Sequence, residues 1–205
     1  MGYFKNIVVF DFETGGTNSE KHAITEIALV TVNSATLEIG EKFSCLFKPY
    51  GKEYTEEAEK ITGITQEMLE NEGLEFNDAF DKILDFLDNQ AIDGVKPIFS
   101  GHNIDKFDMP FMQGMFDENK RKIERSINMD TTLDTLKMSR IAFEDAAVHT
   151  LAAACANVGI IFEDAHRALN DTTANAKMLI ELLKRLRGGG GSSNGIEKPR
   201  NSYQF

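Results

Sequence analysis

The 205-residue sequence predicts an α/β domain built around a mixed β-sheet. Three observations carry that expectation. Short apolar or alternating runs recur in the first fifty residues, at strand length and with short connections. Apolar residues then recur at helical spacing from Phe76 onward. One further short run, Lys96 to Ser100, interrupts the helical pattern and reads as another buried strand.

Taken in order, Ile7-Val8-Val9-Phe10 is continuous and β-branched, as in a strand buried on both faces at the centre of a sheet. Ile24 to Val32 reads as a second strand, and Lys42 to Lys48 as a third with Phe43, Cys45 and Phe47 on one face. Their short links suggest an antiparallel meander. Phe76, Phe80, Ile83, Leu84 and Leu87 then define a helix, with Asn77 and Asp78 suited to its start. Further helices are expected over about Asp105–Phe116, Leu133–Ile141, Thr150–Val158 and Asn170–Leu186. The last carries Ala174, Met178, Leu182, Leu183 and Leu186 on one stripe and closes on Lys184, Arg185 and Arg187, which complement the negative helix end. Gly188 stops it. The domain is therefore expected over residues 1–187, and residues 188–205, Gly/Ser-rich at first, read as a flexible tail.

Composition limits the function classes. A 41% apolar fraction is that of a folded domain, and a net charge of −11 opposes any role that coats nucleic acid through many phosphate contacts. An enzyme gripping a few terminal nucleotides remains open. Two cysteines, Cys45 and Cys155, imply neither a disulfide framework nor a zinc site. With no leader pattern and no run of membrane-spanning length, the chain is expected to be soluble and cytoplasmic.

Asp11 and Glu13 follow the first strand at a spacing of two, which directs both carboxylates to one face if the extended backbone persists. Paired hard oxygens suit Mg²⁺ or Mn²⁺, although an isolated Asp-x-Glu is more often an ordinary strand-end pair of solvated acids. Asp108 belongs in a first helical turn because Pro110 is tolerated only there, and Asp105 reads as that helix's cap. His166 precedes Asp171 by five residues; a loop histidine titrating near neutrality can take a proton from a nucleophile, and Asp171 opens the long helix. Alone, each residue has a plain structural explanation.

In order, however, "VVFDFETGG", "HNIDKFD" and "HRALND", with "AITEIALV", "ITGITQEML" and "HTLAAACANVGI" between them, resemble the DEDDh 3′ to 5′ exonucleases. That family contains proofreading subunits of bacterial replicative polymerases, RNase T and oligoribonuclease. The resemblance runs from about Asn6 to Leu186 and implies a ribonuclease H-like mixed five-stranded sheet flanked by helices. It further implies that Asp11, Glu13, Asp108 and Asp171 hold two divalent ions, Mg²⁺ or Mn²⁺, that His166 deprotonates the attacking water, and that nucleoside 5′-monophosphates leave a single-stranded or frayed 3′ end. Phe12, Thr14, Asn103 and Phe107 are candidates for substrate contact, although Phe12 and Phe107 are more readily buried core. One departure is visible: Thr14-Gly15-Gly16-Thr17 stands where many relatives have Thr-Thr-Gly-Leu, so the apolar wedge against the last base is missing.

DNA is favoured over RNA as the substrate, with an exoribonuclease as the alternative; a non-catalytic scaffold recruited through the tail is a third reading that the complete acid set opposes. Lys120, Arg121, Lys122 and Arg125 form a basic cluster that is either a solvated turn or a guide for a strand. His22, His102 and His149 have no partners at metal-ligand spacing and are assigned structural roles. Tyr203 and Phe205 are apolar anchors through which the tail could dock on a replication protein.

Overall fold

The computed structural model describes residues 6–161 and 167–188. Strands β1 (Asn6–Thr14), β2 (Ile24–Asn33) and β3 (Ile39–Leu46) form the expected antiparallel meander. β4 (Ile98–Gly101) runs parallel to β1, and β5 (Leu133–Asp134) parallel to β4, giving a mixed sheet in the order β3-β2-β1-β4-β5. β1 is central because Ile7, Val8, Val9 and Phe10 are all fully buried, leaving neither face polar.

Alternation along β1 sorts the core into two layers. Val8, Phe10 and Phe12 face a cluster that includes Phe80 and Ile83 of helix α3 (Phe76–Asn89) and Met112 and Phe116 of helix α4 (Asp108–Glu118). Ile7 and Val9 face Ala176, Leu179 and Ile180 of helix α7 (Ala168–Gly188). Each fully buried aliphatic or aromatic side chain contributes about 1.5–3 kcal/mol, so these layers hold the helices in place.

Several elements differ from the sequence-based expectation. Helices α1 (Glu56–Thr62) and α2 (Gln66–Glu72) were not anticipated; Thr55 and Thr65 cap them by accepting from Ala58 N and Met68 N, and Gly63 at φ 68° ends α1. In α3, Asn77 and Asp78 lie inside the first turn rather than before it. α4 begins three residues later than expected because Asn103, at φ 66°, turns the chain. Asp105 is consequently not its cap: it accepts from Thr132 Oγ1 at 2.6 Å and pairs with Lys137. The expected helix start at Leu133 is β5 instead, and α5 (Thr135–Ala142) opens where the Asp134 carboxylate accepts from Leu136 N and Lys137 N. Helix α6 (Leu151–Ala156) lies within its expected span, capped by Thr150. α7 starts two residues earlier than expected and carries Gly188 as its last residue. Among the described residues no helix is long and apolar enough to cross a membrane.

Candidate active site

β1 stays extended beyond its apolar run, so period-two alternation carries Asp11 and Glu13 onto the face of Ile7 and Val9, toward α7. Ile7 to Asp11 spans about 13 Å of strand, and Ile180 back to Asp171 about 13 Å of helix, so α7 brings its first turn to the acids when its stripe packs on Ile7. The result is a group of three half-buried carboxylates, Asp11, Glu13 and Asp171, each offering an oxygen within 4.8 Å of the others.

Asp108 arrives from the opposite layer. β4 pairs with β1 only as far as Val9–Ser100, and beyond that point the Phe12 N–H donates to Asp108 Oδ1 at 3.2 Å. Gly101 makes the approach possible, since a Cβ there would lie 2.9 Å from Ile104 and 3.0 Å from the Phe10 carbonyl. Asp108 is not one of the three clustered carboxylates, yet its charge acts on Asp11.

Charge crowding is severe. Burial, then Asp108, Glu13, Asp171 and Glu26, push the Asp11 carboxyl well above the usual carboxylate range. Burial and Asp171 lead in raising Glu13 to about 7, against Arg167. Burial raises Asp108 to about 7 although the N–H groups of Phe12 and Asp108 favour its charged form. A buried carboxylate cluster ionises at neutral pH when a cation joins it, and Arg167 is already engaged by Glu26. Oxygen donors alone suit a hard divalent ion, so the residues present fit one.

Beside the cluster opens a cleft of about 450 Å³ lined by Phe12, Glu13, Thr14, Gly16, Thr17, His22, Thr55, Glu57, Ala58, Ile61, Thr62 and Phe107. That size suits a nucleotide. Its wall depends on close backbone approach: Gly15 donates to Ala23 O at 2.7 Å and accepts from Thr55 Oγ1 at 2.8 Å, and a Cβ on it would sit 2.2 Å from the Glu53 carbonyl. A Cβ on Gly16 would meet the His22 ring at 2.6 Å. Phe12, only 3% exposed, belongs to the core and shows an edge to the cleft, whereas Phe107 is half-buried at its rim. Ile61, 56% exposed, is the apolar side chain that sequence reasoning missed; the Thr55 and Gly63 caps around it were the available signal.

Other candidates separate from this cleft. Asn103 donates its N–H to Asp134 Oδ1 at 3.1 Å and lines a second hollow with His102, Arg140 and His149. His102 bridges Thr135 and the His149 carbonyl, a structural role as expected. His166 lies outside the described residues, as does the tail bearing Tyr203 and Phe205. Lys120, Arg121, Lys122 and Arg125 are exposed beyond the far end of α4, about 16 Å of helix away from Asp108. That distance exceeds the screening length at physiological salt.

The sheet and its helices match Exonuclease I of E. coli solved with a dT13 oligonucleotide, at TM-score 0.74 and 20% identity over 90% of this chain and 42% of that one. They also match the nuclease domain of 3′hExo, a DEDDh family member solved with rAMP, at TM-score 0.71 and 20% identity over 92% and 94%. The fold is thus ribonuclease H-like, with acids at the end of its central strand. In sequence, the exonuclease family model RNase_T matches residues 8–179. The chain is 30% identical over 179 residues to the DNA polymerase III subunit epsilon of Aquifex aeolicus, covering 87% of this chain and 81% of that one. It is 32% identical over 177 residues to the PolC-type DNA polymerase III of Bacillus subtilis, covering 86% of this chain but only 11% of that far longer protein. The chain belongs to the RNase_T exonuclease family.

Proposed function

We propose that the chain removes nucleotides from single-stranded or frayed DNA 3′ ends, releasing nucleoside 5′-monophosphates. The observation that carries this reading is the convergence of Asp11, Glu13 and Asp171 beside a nucleotide-sized cleft. Asp11, Glu13, Asp108 and Asp171 would hold two Mg²⁺ or Mn²⁺ ions. Bound there, such ions supply Lewis acidity toward the scissile phosphate and make water more acidic. The terminal base lies against Phe107, Ile61 and the edge of Phe12, and the backbone near Glu13 and Thr14 orients its sugar. His166 takes a proton from the water whose oxygen bonds to phosphorus, and the bond from phosphorus to the 3′ oxygen of the preceding nucleotide breaks.

DNA is preferred over RNA because the sequence relatives are chains of DNA polymerase III. Among the fold neighbours, one is solved with dT13 and another with rAMP, which makes RNA the comparison arm of the test. The tail, through Tyr203 and Phe205, would supply a docking segment for a replication protein. The decisive assay uses 3′- and 5′-labelled DNA and RNA oligomers with Mg²⁺, Mn²⁺ or chelator, repeated with Asp11→Ala and His166→Ala. Chelator-insensitive hydrolysis, or full activity in Asp11→Ala, would overturn the reading.

A further inference from the structure

Glu26 is a buried carboxylate beside the cluster for which the chemistry above has no use. The β1–β2 register sets it opposite Glu13, and it is 3% exposed. Two acids facing each other across adjacent strands destabilise a sheet unless one is neutralised. Here Arg167 supplies the opposing charge. Glu26 Oε1 accepts from Arg167 Nη2 at 3.1 Å, while Oε2 accepts from Arg167 Nε at 3.4 Å and from the Ala168 N–H at 3.1 Å. Both oxygens are thus engaged by a guanidinium fork and by an N–H at the start of α7 that has no acceptor within the helix.

The main chain continues the connection. Asp171 N–H donates to the Arg167 carbonyl at 3.2 Å, so the residue gripped by Glu26 also carries the first turn that presents Asp171. From β2, contacts therefore run through Arg167 to Asp171, whose carboxylate clusters with those of Glu13 and Asp11. The apolar stripe of α7 packs mainly farther along, at Ala176, Leu179 and Ile180; in the first turn Ala168 and Leu169 add apolar contact, and the Glu26 contacts to Arg167 and the Ala168 N–H supply the directional polar part. The Arg167 side chain is half exposed, so the pair's value lies in geometry more than in stability.

We propose that Glu26 and Arg167 form a latch that fixes the first turn of α7 against the sheet and thereby holds Asp171 at ligand distance from Asp11 and Glu13. Glu26 is a positioning residue, not a ligand. This inference rests on the metal reading above, and small displacements of a metal-binding oxygen are costly because ligand geometry is narrow.

The test compares the full chain with Glu26→Gln, which keeps an oxygen for the Ala168 N–H but removes the charge, and with Arg167→Met. Mn²⁺ binding is measured calorimetrically without nucleic acid, alongside kcat and KM on a single-stranded oligomer. Both variants should bind Mn²⁺ about 10–100-fold more weakly, the range for lost outer contacts to a ligand, with kcat reduced and KM little changed. In an Asp171→Asn background, Glu26→Gln should alter the Mn²⁺ activation constant less than twofold, because its effect passes through Asp171. Wild-type Mn²⁺ affinity in both variants, or an undiminished loss in the Asp171→Asn background, overturns the latch. If Glu26→Gln does not fold, Arg167→Met decides, its side chain being half exposed. A wild-type chain that binds no Mn²⁺ overturns the metal reading itself, an outcome distinct from normal binding that the variants leave unaltered.

Discussion

The acid cluster beside the cleft forms one region, the floor: Asp11 and Glu13 stand where strand alternation places them, and Asp171 where helix length places it. The wall opposite follows no periodicity. It stands because Gly15 and Gly16 let the chain pass within contact of Glu53 and His22, and because a seven-residue helix, α1, leaves Ile61 exposed toward the cleft. Chemistry is thus assigned to the regular part of the fold and substrate fit to the irregular part. An extended strand cannot shift one residue without moving its acids to the other face, whereas a wall can be rebuilt residue by residue. Substitutions on the floor should therefore affect turnover, and substitutions on the wall should affect binding.

The largest effect tests the floor: Asp11→Asn should lower kcat by about 10³-fold, equivalent to roughly 4 kcal/mol of lost transition-state stabilisation, with KM nearly unchanged. Gly15→Ala should damage the wall through its backbone, at a cost of about 1–3 kcal/mol in stability from overpacking, read by denaturant midpoint together with a raised KM. Ile61→Ala, at a half-exposed site, should leave stability intact and raise KM about tenfold as apolar contact with the base is lost; an equal fall in kcat would blur the division between wall and floor.

The smallest effect concerns protons. Glu13 and Asp108 sit at about 7 in the fold, against about 4 when unfolded, so their neutral forms favour folding. That contribution is fully present below the unfolded values and is lost as pH rises through about 7. Ionised acids are also the form that binds a cation. At 100-fold excess over Kd, Mn²⁺ should raise Tm by about 5–10 °C at pH 8 and by clearly less at pH 6, measured by calorimetry against chelator. An increment that grew on acidification would contradict the assignment.

The same division explains what the sequence disclosed. The buried run at residues 7–10, the two-residue spacing of Asp11 and Glu13, and Pro110 in an opening turn are local signals with one physical meaning each, and they were legible. Asp105 was misread because Asn103 in the left-handed region delays α4, a conformation that no neighbouring periodicity announces. α1 was missed because EEAEKIT exposes its isoleucine and so has no apolar stripe. Glu26 was hidden inside an apparently apolar strand, its partner lying 141 residues away.

Asp108 has two employments. One is to set its charge beside the acid group, where it acts on Asp11; the other is to complete the hydrogen bonding of a strand whose neighbour has run out, through the Phe12 N–H. Asparagine can fill the second post and not the first, whereas alanine fills neither. The two replacements therefore form a separation-of-function pair: Asp108→Asn yields an intact but impaired enzyme, and Asp108→Ala also frays the strand from which Asp11 and Glu13 project.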